Sequence, residues 1–221
     1  MVAGSPPALS SAMSAAGIAK ALSGEGVATR LALLCLQRDG RIATSHWADQ
    51  AVRAGILVDL ALHGRLVDEP DHVAVVAAAE DDPPHAALVH QILAHPERSL
   101  AEVIEDADVG LVEMTAWLVD RGRWVARPTR LPWRHDRYRP ADPSLSRATL
   151  MPFVSALAPG GELTTPAWAA TAVIARVAGL LDGRFGYADD ELVDVCGPVA
   201  WVVRTGAEQI FRARVWYRVV T

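Results

Sequence analysis

From Val27 the chain reads VATRLALLCLQ, apolar as far as Leu36, and then meets Asp39-Gly40, a tight-turn dipeptide that ends the helix or strand before Arg41-Ile42 resumes. The next stretch, SHWADQAVRAGILVDLALHG from Ser45 to Gly64, opens on an N-cap serine. It carries apolar residues on most faces around Val52, Ile56, Val58 and Leu62 and closes on a glycine suited to the residue after a helix end. The pattern predicts a largely buried helix. RLVDEPDHVAVVAAAE then reads as two short strands joined at Glu69-Pro70-Asp71, and AEDDPPHA as a loop opening the helix HAALVHQILAH.

SLAEVIEDADVGLVEMTAWLVDRG predicts one short and one longer helix, with Val112, Ala116 and Val119 at helical spacing. RWVAR and WRHDRYR, broken by Pro128 to Pro132, predict a β-hairpin. From Ser144 onward the pattern is helical again: LSRATLMPFVSAL, a Gly160-Gly161 loop, a helix opened by Thr165-Pro166, and ELVDVCGPVAWVVRTGAEQIFRA. The fold class that follows is mainly α, a single globular helical domain over residues 26–221 with small β-hairpins. It has no βαβ alternation and no internal repeat. Residues 1–25, rich in Ala, Ser and Gly, are expected to form a flexible N-terminal segment.

At 221 residues and half apolar, the chain is long enough for one substantial core. The N-terminal segment lacks the basic and apolar regions of a secretory signal. AWAATAVIARVAGLL, from Ala167 to Leu181, is interrupted by Arg176 and too short for a bilayer span, so it is expected to be a core helix of a cytoplasmic protein. Cys35 and Cys196 sit far apart in apolar runs, as buried thiols rather than a disulfide or metal pair.

Charge changes the picture more. Residues 121–139, RGRWVARPTRLPWRHDRYR, hold seven arginines and one aspartate in a chain of net charge −5, so the remainder carries −11. A local cationic patch on an acidic body calls for an anionic partner. No catalytic signature accompanies it. His85, His90 and His95 recur every five residues, which fans them around a helix instead of converging them on a metal, and no nucleophile elbow, phosphate loop or dinucleotide fingerprint is present. The expectation is a protein without catalysis, metal or cofactor.

Two readings of the basic hairpin follow from its residues. As the wing of a winged-helix regulator it would follow a recognition helix, but residues 106–120 carry Asp106, Asp108, Glu113 and Asp120 and no base, the wrong sign for phosphates. Nucleic acid is therefore disfavoured as a partner. As a peripheral membrane element, Leu131, Pro132 and Trp133 form an apolar tip with Arg127, Arg130, Arg134 and Arg137 around it. Strand alternation sends about half of the arginines to one face, worth about 3–4 kcal/mol at an anionic leaflet. In the plainer arrangement the tryptophans pack on the body and the arginines pair with its acidic surface.

LVDLALHGRL, from Leu57 to Leu66, resembles the leucine-rich helix end and following Arg-Leu strand of the Golgi phosphoprotein 3 family. The resemblance continues through LVDRGRW and RYRPADP in the same order and covers about residues 28–205. It points to a bacterial-type member. It implies a mainly helical, non-enzymatic peripheral adaptor that binds phosphatidylinositol 4-phosphate membranes and holds cytoplasmic tails of membrane proteins, with a hairpin serving membrane contact and homo-oligomerisation. Trp47 matches a headgroup-site tryptophan and Arg53 a headgroup arginine, while two further family arginines fall near Asp108 and Leu111. Lipid binding is therefore expected to be looser, set by anionic charge.

Overall fold

The computed structural model describes residues 26–43, 45–69, 72–76, 82–128, 136–158, 161–163, 165–181 and 189–220. The N-terminal segment 1–25 and the hairpin tip lie outside these. Among the described residues the chain forms nine α-helices and two antiparallel two-stranded hairpins around one apolar core. The helices are α1 (Val27–Cys35), α2 (His46–Leu62), α3 (Pro83–Ala94), α4 (Leu100–Asp106), α5 (Leu111–Asp120), α6 (Pro143–Leu157), α7 (Pro166–Val177), α8 (Asp189–Val195) and α9 (Ala200–Val220). The strands are β1 (Leu66–Asp68), β2 (Val73–Val75), β3 (Trp124–Arg127) and β4 (Arg137–Pro140).

Helix α2 is the axis of the fold. The Ser45 hydroxyl accepts from the Ala48 amide, Gly64 takes the left-handed φ of 65° just past the helix end, and Ala48 through Leu60 are buried apart from Asp49. It packs against α1, α7 and α9. The contact with α1 is close because position 55 has no side chain: a Cβ there would come within 2.8 Å of Leu31 and 2.9 Å of the Ala28 backbone. Helix α1 has only Gly26 at its N-cap, and buried Asp59 of α2 supplies the missing acceptor. Its carboxylate takes the amides of Val27 at 2.7 Å and Ala28 at 3.0 Å. The aspartate of LVDLALHGRL is thus a remote helix cap.

The hairpins fall where the sequence puts them. β1 pairs with β2 from Leu66↔Val75 to Asp68↔Val73, and β3 with β4 from Trp124↔Pro140 to Arg127↔Arg137. Three details differ from the sequence reading. Helix α3 begins at Pro83, because a proline at the first helical position gives up an amide that has no partner there anyway. Helix α5 buries Leu111, Met114 and Leu118, while of the stripe Val112, Ala116 and Val119 the first two are exposed, Val112 by 72%, and only Val119 packs partly against the core. The last helical stretch is divided at Cys196-Gly197-Pro198 by a 3-10 turn, and α9 runs on past Ala213 to Val220.

Both cysteines are free and buried. Burial pushes each thiol up to about 12, with the Asp49 carboxylate adding to the effect at Cys35. The thiolate is the reactive form. A thiol-reactive chromogen at neutral pH should therefore label neither cysteine in the folded protein and both after denaturation; rapid labelling of the native protein would contradict this packing.

Candidate functional site

Residues 121–140 place their arginines by strand alternation. On β3 Trp124 points inward, 2% exposed, and meets Tyr138 of β4 with ring centroids 6.2 Å apart. The Tyr138 amide donates to the Gly40 carbonyl at 2.7 Å, which ties β4 to the turn between α1 and α2. Gly40 has φ 85°, and a Cβ there would stand 2.8 Å from the Tyr138 carbonyl, so the Asp-Gly dipeptide fits this docking.

Because inward and outward positions alternate, the residues between them share the outer face. Val125 lies opposite Arg139 and Arg127 opposite Arg137, all four exposed. Like charges directly across a ladder repel. Among the described residues none of these three arginines pairs with a carboxylate. The arrangement combines parts of two expectations: Trp124 anchors the hairpin to the body and Arg121 pairs with Asp82 of that body at 3.4 Å, while Arg127, Arg137 and Arg139 are exposed on the outer face. Arg130 and Arg134, with the tip residues Leu131, Pro132 and Trp133, lie outside the described residues.

Trp47 and Arg53 do not join this face or each other. Six residues of helix set them about 120° apart around α2. Trp47, half-buried, makes an edge-to-face contact with Tyr217 of α9 at a centroid distance of 5.3 Å. Arg53 is 3% exposed, and four of its five N–H donors are spent inside the fold. Nε donates to the Val109 carbonyl at 2.7 Å, Nη1 to those of Ile104 and, at 3.2 Å, Glu105, and Nη2 to Asp49 Oδ2 at 2.6 Å. The other Asp49 oxygen accepts from the Leu111 amide at 2.8 Å.

One ion pair on α2 therefore serves two helix ends. Its cation takes carbonyls of the last turn of α4, and its anion takes the first amide of α5, each on the terminus whose dipole it complements. Gly110 makes room, since a Cβ there would fall 2.1 Å from Asp49 Oδ1. Burial lowers the Arg53 pKa, while the carboxylates of Asp49, Glu113, Asp106 and Asp108 act against that shift. The headgroup role expected of Arg53 thus meets a guanidinium already held as an internal strut in acidic surroundings. Its carbonyl partners lie 51 to 56 residues away in sequence, so no local signal announces them; only Asp49, one helical turn back, is a local partner.

Sequence reasoning also passed over the end of α9, where Phe211, Val215, Trp216 and Tyr217 are exposed. The signal was available in FRARVWYR, which alternates arginines with large apolar residues. No group of three or more His, Cys, Asp or Glu among the described residues is placed to hold a metal ion. No described helix is long and apolar enough to cross a membrane.

A family model described as Golgi phosphoprotein 3 (GPP34) matches residues 27–194. No curated protein matches the chain at a significant level.

Proposed function

This chain belongs to the Golgi phosphoprotein 3 family, and on that premise we propose that it is a non-enzymatic peripheral adaptor whose β3–β4 hairpin meets anionic membrane through its outer arginine face. The observation that carries the reading is the pairing of Arg127 with Arg137, beside Arg139, on a face that turns away from the acidic body. Two arginines set opposite one another cost the hairpin stability in isolation, and an anionic leaflet removes that cost. Trp124 holds the hairpin to the core, so the charges are presented from an anchored base. Three outward arginines at about 1 kcal/mol each give reversible attachment. Arg130, Arg134 and the Leu131-Pro132-Trp133 tip would extend the same contact. Cytoplasmic tails of membrane proteins are the cargo class that the family suggests, and self-association through the hairpin is compatible with the same surface. Helix α5, which would have to read bases in a regulator, contains no basic residue, which disfavours the nucleic-acid alternative.

Lipid choice follows from the Asp49–Arg53 clamp. A helix N-terminus is where a phosphate would be expected to bind, and at α5 Asp49 already fills that position. Binding to vesicles should therefore follow total anionic charge, fall steeply as salt is raised, and be equal for phosphatidylinositol 4-phosphate and its 3- and 5-phosphate isomers. Co-sedimentation with vesicles of matched charge tests this. A marked preference for one isomer at physiological salt would require a built phosphate pocket and would overturn the charge-only reading.

A further inference from the structure

We propose that the C-terminal end of α9 is a second contact surface for the same anionic bilayer, an inference that rests on the membrane reading of the hairpin. The segment lies beyond the residues matched to the family. Through its first three turns α9 is an ordinary core helix, burying Val202, Val203, Gly206, Gln209 and Ile210. From there it keeps its helical path but presents large apolar side chains to solvent: Phe211 is 61% and Trp216 70% exposed, with Val215 and Tyr217 also exposed. At 100° per residue Phe211 and Val215 lie about 40° apart, on the side of the helix opposite the buried set. Trp216 closes an outward arc that also holds Arg204 and Arg212.

This end of the helix is fixed in place. The Arg214 guanidinium donates to the Val177 carbonyl in the last turn of α7 and packs on Gly179, where a Cβ would come within 2.8 Å of it. Tyr217 meets Trp47 edge to face. Phe211 and Trp216 are thus displayed to solvent from an element clamped at two points. Charge says what covers them. Residues 204–221 hold four arginines and one glutamate, a net +3, and with the +6 of the hairpin removed as well the rest of the chain carries −14. Glu208 shares the arc, but it stands 3.8 Å from Arg212 with both side chains about two-thirds exposed, a pair worth little in water. Tryptophan beside arginine suits the headgroup level of an anionic leaflet, where the ring is half-desolvated and the cation stays hydrated. A self-associating face would be served better without the arginines, which would repel across a two-fold axis.

The test is co-sedimentation with phosphatidylcholine vesicles, with and without phosphatidylserine, of the wild-type chain, the Phe211→Ala/Trp216→Ala variant and the Arg127→Ala/Arg137→Ala/Arg139→Ala variant. Both α9 side chains are exposed, so the fold should survive; Trp216→Gln alone is the milder substitution if it does not. We expect the α9 variant to bind phosphatidylserine vesicles about 10-fold more weakly than wild type, with the hairpin variant weakened separately. Undiminished binding by the α9 variant while the hairpin variant is weakened would overturn this inference alone. Absence of wild-type binding would overturn it together with the reading on which it rests. Conversion of a wild-type dimer to monomer by the α9 substitutions, seen by sedimentation velocity, would assign the face to a second copy of the chain and also overturn it.

Discussion

Replacing Arg53 with alanine should lower the stability of the fold by about 3–5 kcal/mol, a fall of about 10 °C in melting temperature for a domain of this size, and leave the vesicle binding of the folded protein unchanged. The loss has three sources. The carbonyls of Ile104, Glu105 and Val109 lose the donor that satisfies them, the end of α4 loses its compensating cation, and Asp49 loses its ion-pair partner. Arg53→Lys should recover a small part of the deficit, because an ammonium cannot span the fork of acceptors that a guanidinium reaches. Thermal and urea melts measure the effect. An unchanged melting temperature combined with lost lipid binding would return Arg53 to the headgroup role that the sequence suggests for it.

Replacing Arg127, Arg137 and Arg139 together with alanine should weaken binding to anionic vesicles by about 3 kcal/mol, roughly 100-fold, and leave the melting temperature level or slightly raised. The direction of the second effect distinguishes this account from the plainer one. Arginines that paired with the body would cost stability when removed, whereas arginines that repel one another across a ladder relieve strain when removed. The anchor, Trp124, is untouched by these substitutions, so the hairpin keeps its place. Vesicle titrations beside melts of the same preparation give both readings.

The contrast between these two sets of arginines shows what the sequence could and could not disclose. Ser45 and Gly64 bounded α2 correctly because capping is local chemistry: a hydroxyl serves an amide three residues on, and a glycine takes a positive φ. The hairpin was legible for the same reason, and once its register is known, period-two alternation assigns Arg127, Arg137 and Arg139 to one face. Arg53 was not legible. Its place on α2 after Trp47 suggested a family ligand position, although at a spacing about three residues shorter than the family's, and its destination depends on how α4 and α5 pack beside α2, which is tertiary information. Helix α5 is apolar on two sides, so helical spacing alone supports the stripe of Val112, Ala116 and Val119 and that of Leu111, Met114 and Leu118 alike. Only packing against α1, α2, α3 and β3 selects Leu111, Met114 and Leu118 for burial. The remote caps, Asp59 on α1 and Asp49 on α5, follow the same rule, joining residues 32 and 62 positions apart.

The most direct test of the hairpin face uses the burial of the native thiols. With Cys35 and Cys196 inaccessible, a cysteine introduced by Val125→Cys can be labelled alone with an environment-sensitive fluorophore, on the outer face directly opposite Arg139. The account predicts that its emission shifts to the blue when phosphatidylserine-containing vesicles are added, reverses on raising the salt, and does not move with phosphatidylcholine alone. Protein that sediments with the anionic vesicles while the emission stays unchanged would show that another surface makes the contact, and would contradict the assignment of the hairpin.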